Sequence, residues 1–221
     1  MRLFVTGTDT GIGKTWVSQS LVHLLRQQGR KVAVMKPVAS GCEQTADGLR
    51  NEDAVALIEA CGQGLSYDLV NPYAFEPAIA PHLAAAAAGR SVDLQQVQQA
   101  CAALESACDA EVTLIEGAGG WCVPLGEELM FADMARALQA EVILVVGMRL
   151  GCLNHAMLTA DRIISDGFKL RGWVANAIDP AMDVAEENQR WLEEKMPVPC
   201  LGRVGHGQCP AEAAGHLVLN V

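Results

Sequence analysis

GTDTGIGKT, residues 7–15, preceded by the apolar run LFVT at 3–6, decides how the rest of the chain is read. A phosphate-binding loop has a glycine, four residues and then Gly-Lys-Ser/Thr; here Thr8 to Ile12 separate Gly7 from Gly13-Lys14-Thr15, one residue more than the strict pattern. Context outweighs the extra residue. A loop that wraps phosphate leaves a strand and enters a helix, and this one runs from LFVT into a segment that continues to Gln28 and stops at Gly29. Backbone N–H groups at the start of that helix can surround phosphate oxygens, Lys14 can reach the outer phosphates, and the Thr15 hydroxyl can sit on magnesium. The bland alternative is a glycine-rich turn that only tolerates tight geometry. Strand, turn, Gly-Lys-Thr and helix in succession weigh against it.

Outward from this loop, short runs rich in Val, Ile and Leu alternate with longer helix-like segments, the mark of a parallel sheet built from βαβ units. Expected strands are 3–6, 31–38, 111–117, 141–147 and 172–178, with an edge strand at 198–204. Expected helices are 14–28, 52–60, 92–107, 131–139, 155–166 and 183–195, and the alanine run at 84–88 is helix-prone. The fold class expected is α/β, P-loop NTPase-like, with a largely parallel central sheet flanked by helices. No internal repeat or long linker divides the chain, so one domain, 1–221, is expected.

About half of the 221 residues are apolar, enough for a substantial core, and the formal net charge is −10. Acidic balance argues against nucleic acid or an anionic membrane as partner and favours small molecules. Eight cysteines show no Cys-x-x-Cys pair and no zinc-ligand spacing, which reads as scattered buried thiols in a reducing compartment. The N-terminal residues do not read as a signal peptide, and no apolar stretch reaches membrane-spanning length; the expectation is a soluble, cytoplasmic protein.

Magnesium on nucleotide phosphates recruits one or two carboxylates. Glu116 ends the apolar strand EVTLIEG, where parallel sheets place ligands, although it could instead cap a turn. Asp53 lies in the first turn of a helix, where the dipole favours an acid whatever its function. KPVASG (36–41) puts Lys36 at the end of the second strand and Ser40 in a loop beyond it, offering a second cation for phosphoryl transfer or only a solvated strand end. Gly117 to Gly120 let backbone approach a ligand closely. RLGCLNHAML (149–158) opens a helix with Asn154 as its expected N-cap, and the N–H groups there suit a carboxylate as well as a simple cap.

Taken together, GTDTGIGKT, KPVASG, GLRNEDA, VNPYAF, AP-H at 80–82, EGAGGW, ADMA, GCLNHAMLT and GWVAN resemble the dethiobiotin synthetase family over residues 3 to about 178. The resemblance implies an ATP- and magnesium-dependent carboxylation and ring closure of 7,8-diaminopelargonic acid with carbon dioxide, through a carbamate and a carbamic-phosphoric anhydride. By similarity, ATP is held by Asp9, Gly11, Ile12, Gly13, Lys14, Thr15 and Trp16 with Asn176 on adenine, and magnesium by Thr15, Asp53 and Glu116. Lys14 and Lys36 would neutralise the phosphates and developing charge, with Thr10 and Ser40 at the reacting groups. Gly117, Ala118, Gly119 and Gly120 would hold the diamine and carbamate. A homodimer is implied, with Leu150, Gly151, Cys152 and Asn154 gripping the substrate carboxylate across the interface. Gly11 stands where some relatives carry glutamate, and LGRVGHGQCP (201–210) departs from them at Arg203 and Gly205. His82, His155 and the tryptophans read as structural or interface residues.

Two other readings fit parts of the pattern. A nucleotide-driven switch would leave 150–154 without a task, and an amidating ligase would need an ammonia source.

Overall fold

The computed structural model describes residues 1–221. In chain order it comprises β1 (Arg2–Gly7), α1 (Lys14–Gln27), β2 (Val32–Met35), β3 (Val38–Ser40), β4 (Glu43–Thr45), β5 (Gly48–Arg50), α2 (Glu52–Cys61), α3 (Tyr67–Val70), β6 (Tyr73–Phe75), α4 (Pro81–Ala87) and α5 (Leu94–Ala107). It continues with β7 (Val112–Glu116), α6 (Phe131–Ala137), β8 (Glu141–Gly147), α7 (Cys152–Ser165), β9 (Leu170–Asn176), α8 (Ala185–Lys195), β10 (Cys200–Val204), α9 (Pro210–Ala213) and a 3-10 turn, Ala214–His216.

Six strands form one sheet in the order β10-β9-β8-β1-β7-β2, every pairing parallel. The strand sequences explain the burial. Successive side chains point to opposite faces, so Leu3 and Val5 join one apolar cluster with Val17, Leu21 and Leu25 of α1, while Phe4 joins the other with Val97 and Leu104 of α5 and Ala156 and Ala160 of α7. With helices on both faces, nothing in β1 or β8 needs to be polar, and their runs are almost wholly apolar. The chain passes from β1 outward to β2, returns through β7, and then moves to β8 on the other side of β1. Crossovers therefore diverge around β1, and the crevice beyond its carboxyl end is where such sheets bind ligands.

Four expectations need correction. The run 31–38 is not one strand: it breaks at Lys36-Pro37, where proline supplies no N–H to a ladder, and the chain leaves the main sheet. Ser40 consequently lies in β3, which pairs parallel with β6, and not in a loop. Asn154 does not cap α7; Gly151, at φ 94°, takes that position and Asn154 falls in the first turn. Finally, the thiols are not all buried: Cys42, Cys61, Cys101 and Cys152 are, whereas Cys122 and Cys209 are exposed. No helix is long and apolar enough to cross a membrane.

Candidate functional site

Strand β1 delivers the chain to the cradle, which a hydrogen bond from Thr8 N to Val145 O ties to β8. Gly11 and Gly13 have φ of 72° and 74°, a conformation that glycine adopts without the Cβ penalty, so the backbone can double back into α1. Gly13 is the N-cap and no side chain caps α1, which leaves the first N–H groups of the helix facing the crevice. Asn176, at the end of β9, is buried behind the loop; its Nδ2 donates to Ile12 O at 2.7 Å. A Cβ on Gly13 would come within 2.3 Å of that nitrogen.

Above the cradle lies a cavity of about 780 Å³. Its walls include Thr10, Gly11, Gly13, Lys14, Thr15 and Trp16 from the loop and α1, with Lys36, Ser40, Asp53, Glu116, Ala118 and Gly119 from the opposite side. Five groups from four separate stretches of chain thus meet. Thr15 Oγ1 donates to Glu116 Oε1 at 2.8 Å; Lys36 Nζ lies 2.5 Å from the same oxygen, 2.9 Å from Asp53 Oδ2 and 3.3 Å from Gly117 O. Glu116 is fully buried, and its second oxygen, Oε2, has no hydrogen-bond partner.

The electrostatics follow from this packing. Burial alone would lower the Lys36 pKa, but Glu116 and Asp53 outweigh it and hold the amine charged, above its ordinary value. Burial raises the Asp53 carboxyl, and the Lys36 charge more than reverses that, so Asp53 stays ionised. Lys14 has no such carboxylate contact: its Nζ donates to Asp9 O at 3.0 Å, and burial, reinforced by Lys36, lowers its pKa to about 8. Asp9 is held below the usual carboxylate range by the Thr10 N–H and by Arg149, with which it pairs.

Thr15, Asp53 and Glu116 offer oxygen donors only, two of them carboxylates, and the buried Oε2 of Glu116 is left without a hydrogen-bond partner. That set fits magnesium, which prefers oxygen ligands and keeps waters or phosphates in its remaining positions.

Other expected residues are placed less directly. Ile12 is a core side chain that offers only backbone to the cradle, and Asp9 faces away from the large cavity towards Arg149. Gly117 packs against Phe4, while Gly120 borders a second, smaller cavity of about 400 Å³ with Asp9, Thr10, Trp121 and Arg162. Leu150, Gly151 and Asn154 are exposed and Cys152 is buried; none of the four lines either cavity.

Asn51, Arg149 and Gln208 were not anticipated. Asn51 lines the cavity and caps α2 by accepting from Ala54 N at 3.2 Å, which positions Asp53; an Asn directly before Glu-Asp at a helix start was a legible signal. Arg149 reaches Asp9 across 140 residues, and Trp16 Nε1 donates to Gln208 O at 2.6 Å; no local pattern announces either contact.

A family model described as an AAA domain matches residues 1–208. The ATP-dependent dethiobiotin synthetase BioD of Pseudomonas aeruginosa strain UCBPP-PA14 is 53% identical over 219 residues, covering 98% of this chain and 96% of that protein. The ATP-dependent dethiobiotin synthetase BioD of Xanthomonas oryzae pv. oryzae strain PXO99A is 51% identical over 201 residues, 91% of this chain and 89% of that protein. Among solved structures, the signal recognition particle receptor FtsY of Elizabethkingia anophelis superimposes with a TM-score of 0.57 at 15% identity, over 99% of this chain and 61% of that one. A chain of the MinC:MinD cell division complex of Aquifex aeolicus gives 0.54 at 15% identity, over 92% and 80%. These two share the fold.

Proposed function

The chain belongs to the dethiobiotin synthetase family, and from that premise we propose that it uses ATP to carboxylate 7,8-diaminopelargonic acid and close the ureido ring of dethiobiotin. It is an ATP-dependent ligase. One amine adds to carbon dioxide and loses a proton to solvent, giving a carbamate. A carbamate oxygen then displaces ADP from the γ-phosphorus, forming a carbamic-phosphoric anhydride. The second amine attacks the carbamoyl carbon, its proton leaves, and phosphate departs as the ring closes.

The observation that carries this reading is the single cavity that joins Lys14 and Thr15 at the cradle to Lys36, Ser40 and the Ala118–Gly119 backbone opposite. A triphosphate seated on the α1 N-terminus places its outer phosphate between two ammonium groups, and the remaining volume accepts a second substrate. Transfer through a loose transition state spreads negative charge, which Lys14 and Lys36 are placed to offset. Thr10 and Ser40 supply hydroxyls at the cavity wall, and the small residues 117–120 let a carbamate approach backbone. Magnesium held by Thr15, Asp53 and Glu116 would draw charge from the phosphate oxygens. Asp9, Gly11, Ile12, Gly13 and Trp16 would enclose the nucleotide, and Asn176 would meet adenine by exchanging its contact with Ile12 O.

In this reading residues 1–221 act as one domain in a cytoplasmic homodimer. Exposed Leu150, Gly151 and Asn154, with the Cys152 backbone, reach the substrate carboxylate in the partner's site. Release of ADP that depends on added diamine tests the proposal; hydrolysis indifferent to the diamine contradicts it.

A further inference from the structure

We infer that Lys36 is a tethered counter-cation of the metal site: its ammonium holds the Asp53 and Glu116 carboxylates together until a divalent cation takes them over, and the displaced side chain then turns into the cavity towards the phosphates. The inference rests on the proposed function only for the identity of the ion.

Two carboxylates meet here, Glu116 fully buried and Asp53 half-buried. Asp53 and Glu116 face each other through one ammonium, 2.9 Å from Oδ2 of the first and 2.5 Å from Oε1 of the second. Without a cation between them the two charges would repel, and Glu116 is shut off from the water that would screen it. Thr15 Oγ1 contacts the same Glu116 oxygen, so the three oxygen donors and the ammonium share one small volume. A dication drawn to those oxygens and an ammonium already bonded to two of them exclude each other by charge and by space. The unpartnered Oε2 shows that lysine does not satisfy Glu116 fully.

Movement of Lys36 is confined to its side chain. Its N–H donates to Val70 O at 2.9 Å, its carbonyl accepts from Asn71 Nδ2 at 2.6 Å, and Pro37 follows. The four-carbon stem starts from this fixed backbone and borders the cavity that also contains Lys14 and Ser40. Phosphate in that cavity gives the displaced ammonium a new anionic partner. Metal and nucleotide must therefore favour each other's binding through Lys36, each removing a cost that the other meets alone.

Binding of Mn²⁺, followed by its paramagnetic resonance without turnover, tests this. Lys36→Met should bind Mn²⁺ alone about tenfold more tightly than the parent, and an unhydrolysable β,γ-imido ATP should tighten Mn²⁺ binding by a smaller factor in the variant. Equal or weaker metal affinity in a folded variant overturns the inference. Should Lys36→Met not fold, the parent protein supplies the answer: acetic anhydride labelling of Lys36, mapped by mass spectrometry, should accelerate when Mg²⁺ alone is added. Unchanged labelling at saturating metal overturns it, as does failure of the parent to bind either metal. Diamine-dependent ADP release that persists beside such a result removes this inference and leaves the proposed function standing.

Discussion

Lys36 Nζ lies 2.5 Å from Glu116 Oε1, joining residues 80 apart in sequence at the floor of the cavity. The pair is almost completely shielded from water, so replacing the lysine has two separable effects. Lys36→Ala should lower turnover by about 10²-fold, because the charge matters most while phosphate is in transfer, and leave ATP affinity much less changed. The same change leaves the buried Glu116 carboxylate without its counter-charge and facing half-buried Asp53, and should cost about 3 kcal/mol in urea unfolding. Steady-state rates within a factor of about two of the parent would remove Lys36 from the transition state.

The cradle makes a steric prediction. Gly13→Ala must hold a Cβ at φ 74° and only 2.3 Å from Asn176 Nδ2. The left-handed backbone alone costs about 1–2 kcal/mol, and the collision adds to it. In an Asn176→Ala background the collision disappears, so the cost of Gly13→Ala should shrink towards the backbone share. A double-mutant cycle by chemical denaturation reads this coupling, and additive losses would show that the two residues do not meet.

The legible parts of the fold were those with long-range consequences written in local composition. The centres of β1, β7 and β8 are mainly apolar because both faces are covered, and the expected 141–147 matches β8 residue for residue. Three-residue strands such as β3 and β6 carry too little pattern to be found, and the break at Lys36-Pro37 was hidden inside an apolar run. In the site, Lys14 and Thr15 could be read from the loop motif, whereas Lys36, Asp53 and Glu116 each had a bland alternative and were drawn together only by the family resemblance. That Lys36 stands between the two carboxylates could not be read, since three separate chain segments create it. The helix α7 start was misread because polar Asn154 looked like the cap, whereas glycine with a left-handed φ took the position.

With nucleotide seated as proposed, Lys14 should make its binding sensitive to pH. Burial, aided by Lys36, lowers its pKa from 10.5 to about 8. The unfolded chain then holds more protons than the folded one between those values, so this group makes stability rise with pH across that window. Phosphates beside Lys14 restore its preference for the charged form. Calorimetry in buffers of different ionisation enthalpy should therefore record net proton uptake on ATP binding near about pH 8.5. Zero uptake, or release, would place Lys14 away from the phosphates.

Asn154 tests the dimeric part of the account. It is exposed in the first turn of α7 and lines neither cavity of its own chain. Asn154→Ala should raise KM for the diamine several-fold and leave that for ATP nearly unchanged. Equal increases in both would indicate a damaged dimer in place of a lost substrate contact.

The most direct test of the central claim is incorporation of labelled bicarbonate into a cyclic product, with ATP, magnesium and 7,8-diaminopelargonic acid, scored beside ADP. The account predicts labelled dethiobiotin formed in step with ADP, one for one in the stoichiometry of the proposed reaction. ADP accumulating without labelled product, at a rate indifferent to the diamine, would contradict it.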